Sequence, residues 1–312
     1  MKTTPGEPQF SSTELKFLIE VDRRIILWRN TIALFHKLNK PRFVGPFREA
    51  GYAYRIEPIL SVRRTGEEKN PDIVASSPSG WLLLELTCND HSKSDKLDSY
   101  RQIDPRSLSQ YGLHVHQSAP DTICSRLSEV DDGEHCQIIV RDTVLVRRLD
   151  CLSDTNLKSA LQEFSGTELT RLPNIAINLL PESKNHEVRR GLVDIVMQLF
   201  QPGSEGKTAY QIVEAGLDKL SDKVSASNKT AMMNRVKREM EVLVNRDLKG
   251  YLELREDGTY VPTDKFKPHP KALERISSRL REWADPTQRS LSSFEPCSDG
   301  ARCDEPGAGD GS

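Results

Sequence analysis

A glutamate stands in the middle of the most apolar stretch of this 312-residue chain. Glu85 lies within residues 81–87, which read WLLLELT. An ionised carboxylate is costly to bury among aliphatic side chains unless a metal ion, a cation or a reacting group pairs with it. Glu85 is therefore the first candidate for a functional residue.

A second carboxylate precedes Glu85 at a distance that suits a hairpin. Asp72 follows Pro71 at the start of a short apolar segment, and residues 77–80, SPSG, supply a turn between the two. Because side chains alternate along a strand, Glu85 and Thr87 share one face, and the hairpin would bring Asp72 beside Glu85. Two carboxylates suit a hard cation such as Mg²⁺ or Mn²⁺, which can polarise a phosphate and lower the pKa of a bound water. The pair predicts phosphodiester chemistry.

The surrounding pattern predicts the elements that would position this pair. Helical spacing of apolar residues, capping residues and turn residues indicate a helix from Ser12 or Thr13 to about residue 38 and a short helix over 43–50. Three strands are expected next, then a helix capped by Ser94, then a further buried strand; the strands cover 52–62, 72–76, 81–88 and 137–140. The predicted class is α/β, in the order helix, three strands, helix, strand.

These residues resemble the PD-(D/E)xK nuclease superfamily over roughly residues 42–145. Pro71-Asp72 matches the first half of the family motif, and Glu85-Leu86-Thr87 matches the second half except that Thr87 replaces lysine. The resemblance implies a restriction-endonuclease-like core in which Asp72, Glu85 and the backbone carbonyl of Leu86 hold the metal ion.

Thr87 leaves the cationic role of the motif without a residue. The family lysine orients the attacking hydroxide and offsets charge on the phosphate, whereas threonine offers only a neutral hydrogen bond. Lys96 and Lys93, at the start of the following helix, are the best substitutes, and Lys96 lies four residues from Tyr100 on one helical face. In the alternative interpretation, Glu85 pairs with an arginine such as Arg101 and Pro71-Asp72 is an ordinary turn.

Three predicted helices and a hairpin near the C-terminus resemble a winged-helix domain. The helices cover 188–200, 209–220 and 228–245, and the two short strands, 251–255 and 260–261, are joined by Glu-Asp-Gly. The resemblance implies that the third helix and the wing contact DNA through basic residues, which are Lys229, Arg235, Lys237, Arg238 and Arg255. Alternatively, these residues form a solvated face, or the domain docks a partner protein.

Bulk properties narrow the class of protein. A net charge of −2 excludes a polycation, so contact with nucleic acid must come from local basic surfaces. Six irregularly spaced cysteines do not form a disulfide scaffold, and neither a leader segment nor an apolar run of about 20 residues is found, so we expect a cytoplasmic protein with no membrane contact. The predicted organisation is a flexible N-terminus (1–10), a nuclease-like domain with a helical extension (11–180), a winged-helix domain (181–285) and a disordered tail (286–312).

The sequence thus predicts a Mg²⁺-dependent endonuclease that the winged helix positions on DNA. By analogy at the level of the fold, such a pairing indicates a role in restriction or antiphage defence. A different class stays open: a non-catalytic DNA-binding or assembly protein with a degenerate nuclease-like core. A protein partner for the winged helix or the tail, RNA in place of DNA, and a homodimer are further alternatives.

Overall fold

The computed structural model describes residues 12–38, 43–63, 65–88, 94–129, 135–169, 185–200 and 203–266, together with residues 276 and 280. The predicted flexible N-terminus (1–10), the predicted disordered tail (286–312) and Lys93 lie outside these ranges.

A six-stranded mixed sheet with helices on both faces dominates the N-terminal region, so the predicted α/β class is confirmed. The α-helices and β-strands of the N-terminal region are, in chain order, α1 (Ser12–Ala33), β1 (Lys37–Leu38), β2 (Phe43–Val44), α2 (Pro46–Glu49), β3 (Ala53–Ile56), β4 (Leu60–Ser61), β5 (Glu68–Lys69), β6 (Ile73–Ser76), β7 (Trp81–Thr87), α3 (Ser94–Ser99), β8 (Asp121–Arg126), β9 (Cys136–Val140), β10 (Val144–Arg147) and α4 (Thr155–Phe164).

The sheet has the order β10-β9-β8-β7-β6-β3. Strands β7, β8 and β9 run parallel, while β3, β6 and β10 pair antiparallel with their neighbours. All seven residues of β7 are buried because the sheet is covered on both sides. Leu82 and Leu84 belong to the apolar cluster that includes α1, whereas Leu83 packs with Leu97 of α3 in a second cluster.

Two of the predicted strands differ from the structure. The strand expected over 52–62 is interrupted at Glu57, whose φ of 46° is left-handed, and by the proline that follows. As a result β3 joins the central sheet, while β4 pairs with β5 in a separate two-stranded sheet.

The second difference concerns the strand next to β7. The predicted strand over 137–140 exists as part of β9, but the unpredicted β8 lies between it and β7. Strand β8 reads DTICSR, so it has no run of aliphatic residues although all six residues are buried. Its polar side chains form hydrogen bonds with neighbouring elements. Ser125 bonds to Thr31 of α1 at 2.6 Å, and the Asp121 carboxylate accepts the Ser153 amide at 2.9 Å.

The predicted helical boundaries at the N-terminus also shift. Helix α1 ends at Ala33 rather than near residue 38, since residues 37 and 38 pair with β2 as a short hairpin. The short second helix starts at Pro46 and the chain leaves it through Gly51, which has a left-handed conformation with a φ of 79°.

The C-terminal region contains the three predicted helices and the predicted hairpin. Its elements are α5 (Asn185–Leu199), β11 (Lys207–Thr208), α6 (Ala209–Leu217), α7 (Ala226–Val242), β12 (Leu252–Leu254) and β13 (Thr259–Pro262). The unpredicted β11 adds a third strand in the order β11-β13-β12. Thr208 ends that strand and caps α6 by a reciprocal bond with Gln211, so the helix begins at the residue directly after the strand.

The two regions are in contact. Ile56 at the end of β3 forms a parallel bridge with Val224, and Arg24 of α1 lies 3.7 Å from Glu187 of α5. One apolar cluster contains residues of both regions. The predicted domain boundary at 180 falls within 170–184, a segment outside the described ranges. Among the described helices, none combines the length and the apolar character needed to cross a bilayer.

Candidate active site at the carboxyl end of strand β7

Asp72 and Glu85 are neighbours at one end of the β6–β7 hairpin. The register pairs Ile73 with Leu84, which sets Asp72 beside Glu85 one position further along. Asp72 Oδ2 accepts the backbone N–H of Leu86 at 2.6 Å. The hairpin therefore brings the two predicted acids together, and the Leu86 amide holds the carboxylate of Asp72 in place.

Glu85 is fully buried, and both of its carboxylate oxygens accept hydrogen bonds from α3 and the turn after it. Lys96 Nζ donates to Oε2 at 2.8 Å, and the Tyr100 hydroxyl donates to Oε1. The Lys96 ammonium also lies 5.8 Å from the centroid of the Tyr100 ring. The Lys96 side chain is 45% exposed, so the ion pair joins a buried anion to a cation at the surface.

The apolar residues of this helical segment explain why Lys96 and Tyr100 reach the acid. Leu97, Tyr100 and Ile103 are fully buried and pack with Leu83 and Trp81 on the Glu85 face of β7. Helix α3 ends at Ser99 and continues as a single 3₁₀ turn over residues 100–102. The predicted four-residue spacing thus places both side chains on one carboxylate.

The other candidates for the cationic role have different surroundings. Thr87 is almost completely buried, and Lys93 lies outside the described residues. Arg101 is 63% exposed and pairs with Asp98 at 3.7 Å. The interpretation in which Arg101 neutralises Glu85 is therefore wrong, because Lys96 occupies that position.

Sequence reasoning missed two residues on the same face of the sheet. The spacing of Tyr100 relates it to Lys96 but does not assign it to the site. Arg126, at the end of β8, is paired in register with Thr87 and is fully buried. Paired residues of parallel strands point to the same face, so Arg126 adds a guanidinium on the Glu85 side of the sheet. A buried arginine at a strand end would have been a signal only if β8 had been recognised.

The residues present fit a divalent cation that binds oxygen. Asp72 and Glu85 offer carboxylate oxygens of the type that Mg²⁺ and Mn²⁺ prefer. A carboxylate oxygen has two lone pairs, so the bonds from Lys96 and Tyr100 are compatible with a cation on the other pair. Within the described ranges, no group of three or more His, Cys, Asp or Glu side chains is placed to hold a metal ion. Further ligands would have to be the predicted Leu86 carbonyl and water.

The basic residues predicted to contact nucleic acid divide into two sets. Lys237 and Arg238 on α7 and Arg255 near the hairpin turn are exposed. Lys229 is engaged inside the region, because its Nζ donates to Glu214 Oε1 at 2.9 Å and to Ser221 Oγ at 2.6 Å. The Ser221 hydroxyl and then Lys229 hold the pKa of Glu214 below its ordinary value.

Arg235 belongs with Lys229 rather than with the exposed residues. Its Nη2 donates to Asn185 Oδ1 at 3.3 Å, and the side chain is partly buried against α5. Burial lowers the pKa of Arg235, while the negative charges of Glu187 and Glu239 act in the opposite direction. Three of the five predicted residues are thus presented to solvent.

Comparison of the chain with protein-family models, with curated proteins and with solved structures gave no match. Function is therefore inferred from the geometry of the acids, the lysine and the exposed basic residues.

Proposed function

We propose that the chain is a divalent-metal-dependent endonuclease that hydrolyses phosphodiester bonds in DNA. The observation that supports this most is the position of the Lys96 ammonium, 2.8 Å from Oε2 of Glu85, the acid that the hairpin register sets beside Asp72. Two adjacent carboxylates and an amine at one strand end are the groups that such chemistry requires. The lysine comes from the helix after the strand, in place of the motif position that holds Thr87.

Each residue has a distinct task in this proposal. Asp72, Glu85 and the Leu86 carbonyl would hold Mg²⁺ or Mn²⁺. The ion supplies neutralisation of phosphate charge and a bound water of lowered pKa. Lys96 offsets negative charge that develops on the phosphate, and Tyr100 keeps the Glu85 carboxylate oriented.

The arrangement of elements supports a restriction-endonuclease-like core. Strands β3, β6 and β7 form an antiparallel set, α3 follows, and β8 then pairs parallel to β7. The three helices, β11 and the β12–β13 hairpin support a winged helix, with Lys237, Arg238 and Arg255 as its contacts to DNA. A role in restriction or antiphage defence and a cytoplasmic location belong to the same proposal; the buried Cys136 is a free thiol, as expected in a reducing compartment.

Cleavage assays test the assignment of the acids. Purified full-length protein is incubated with supercoiled plasmid, linear DNA or RNA, and with Mg²⁺, Mn²⁺ or a chelator. Asp72→Asn and Glu85→Gln are each expected to lower the cleavage rate at least about 100-fold. Loss of a metal ligand should reduce activity no less than loss of a group that hydrogen-bonds to the ligand. Glu163→Gln, at an exposed position of α4, is the matched control. Undiminished cleavage in both acid variants would overturn the site.

A second candidate function is a non-catalytic DNA-binding or assembly protein. It is favoured by the fully buried Glu85, whose two oxygens already accept bonds from Lys96 and Tyr100 and so form a satisfied pair without a metal ion. Absence of cleavage with either cation, beside a salt-dependent mobility shift of DNA, would favour this candidate. A missing or salt-independent shift would instead favour a protein partner for the C-terminal region.

A further inference from the structure

Glu57 has a backbone conformation that is rare for its residue type. Its φ of 46° is left-handed although it carries a side chain, and the residue is only 2% exposed. Such conformations persist where the surrounding structure holds them, and they concentrate at functional sites. Glu57 lies directly after β3, at the position where the chain leaves the central sheet.

The main chain of Glu57 is bonded to the strand that carries the first acid. Its N–H donates to the carbonyl oxygen of Asp72 at 2.8 Å. This bond extends the pairing of β3 with β6 by one position beyond Ile56 and Ile73. The backbone of Asp72 is thus held from one side by Glu57, while its carboxylate is held from the other by the Leu86 amide.

The carbonyl of the same residue is bonded to the start of α7. Asn228 Nδ2 donates to Glu57 O at 2.9 Å, and the adjacent residues Ile56 and Val224 form a bridge. Lys223 Nζ lies 5.6 Å from the centroid of the Tyr54 ring, which adds a cation–π contact between the same segments. Three neighbouring contacts therefore dock the start of α7 on the end of β3.

We propose that Glu57 and Asn228 are positioning residues that connect the C-terminal region to the acid site, so that docking of α7 fixes Asp72 for cation binding. The inference rests on the proposed function, because it requires that Asp72 and Glu85 bind a divalent ion. Neither Glu57 nor Asn228 touches the ion; each acts through the backbone of Asp72. Coupling of this kind is reciprocal, so the bound ion should also stabilise the docking of α7.

Titration calorimetry of the full chain with Mn²⁺, without nucleic acid, tests the inference. Asn228→Ala removes the donor to Glu57 and should weaken Mn²⁺ binding about 10-fold. This is the lower end of the range for groups that hydrogen-bond to a metal ligand, because Asn228 acts on Asp72 through Glu57. Asn234→Ala is the matched control, since Asn234 is an exposed asparagine on the same helix. Its Mn²⁺ affinity should equal that of the wild-type protein. Asn228→Gln keeps an amide donor and should recover part of the affinity.

The variant Glu57→Gly distinguishes the contribution of the Glu57 main chain from that of its side-chain carboxylate. Glycine adopts a left-handed φ freely and retains both main-chain bonds. Mn²⁺ affinity should therefore fall much less in Glu57→Gly than in Asn228→Ala, and an equal loss in the two variants would overturn the main-chain contact as the connection.

The remaining outcomes distinguish the inference from the proposed function. Wild-type protein that does not bind Mn²⁺ would overturn both. Wild-type protein that binds Mn²⁺ beside an Asn228→Ala variant of equal affinity would overturn the inference alone. Thermal unfolding of both asparagine variants is measured in parallel, because a purely structural role would lower the unfolding temperature and leave the Mn²⁺ affinity unchanged.

Discussion

Two buried carboxylates lie toward opposite ends of β7, and they have different kinds of partners. Asp154 caps α4, where its Oδ1 accepts the amides of Asn156 and Leu157 at 2.8 and 3.3 Å. Its Oδ2 accepts the hydroxyls of Tyr52 and Ser79. Glu85, by contrast, accepts bonds from the half-exposed ammonium of Lys96 and from Tyr100.

The difference shows that burial of an acid does not by itself mark a site. Asp154 accepts bonds from neutral donors, which are backbone amides and the hydroxyls of Tyr52 and Ser79, so its charge stabilises the fold. Burial raises its pKa, but the bonds from Ser79 and Tyr52 outweigh this and hold the pKa below its ordinary value. Glu85 instead shares its charge with a cation on a long side chain at the surface, which under the proposed function would exchange partners when substrate or metal binds.

The strongest test of this comparison removes the cation from Glu85. Lys96→Met keeps the length of the side chain and deletes the charge. We expect the DNA cleavage rate under saturating Mg²⁺ to fall on the order of 100-fold, because a group aimed at developing charge contributes at about that level. Lys96→Arg retains a positive charge, so its cleavage rate should fall less than that of Lys96→Met.

Two control variants show whether the fall in the cleavage rate is specific to the loss of the Lys96 charge. Lys249→Met alters an exposed lysine near β12 and should leave the cleavage rate unchanged. Thr87→Val tests the motif position itself and should have a much smaller effect than Lys96→Met. A loss in Thr87→Val as large as that in Lys96→Met would contradict the transfer of the cationic role to the helix.

The complementary test removes the charge from the structural acid. Asp154→Asn should lower the free energy of unfolding by about 1–3 kcal/mol, since buried donors lose their acceptor. The cleavage rate per folded molecule should be unchanged. Chemical denaturation and the plasmid assay measure the two quantities, and a selective loss of cleavage would make Asp154 part of the site.

The contribution of Asp154 should also depend on pH. Because its folded pKa is depressed, the stabilisation is fully present above the unfolded value of about 3.9 and is lost as the pH falls through the folded value. The difference in unfolding temperature between wild type and Asp154→Asn should therefore be constant near neutral pH and shrink below pH ~4. A difference that grows on acidification would contradict this assignment.

The smallest expected effects concern α7. Some of its basic side chains are paired with other groups of the C-terminal region, and others are exposed to solvent. Lys237→Ala with Arg238→Ala should weaken DNA binding and reduce the slope of log affinity against log salt by about 0.9 for each phosphate that is no longer neutralised. Lys229→Met should leave that slope unchanged and instead lower stability, because Lys229 pairs with Glu214. Mobility shifts at several salt concentrations distinguish the two results.

Local rules explain which parts of the site could be predicted. The alternation of strand side chains and the turn before Trp81 were sufficient to pair Asp72 with Glu85, and helical spacing was sufficient to place Lys96 and Tyr100 together. Strand β8 was not predicted because polar residues stand where a buried strand usually has a run of apolar residues. The partners of those residues lie in other elements; Thr31, for example, is 94 positions from Ser125 in the chain.

The α/β class, the adjacency of the two acids and the helix that carries the lysine follow from the amino-acid sequence, since they depend on local patterns within single hairpins and helices. Three further features become visible in the folded chain: Lys96 rather than Arg101 neutralises Glu85, Lys229 and Arg235 are engaged within the C-terminal region, and Glu57 joins α7 to Asp72. These outcomes depend on which side chains meet across elements distant in the chain, and packing of the whole fold selects them.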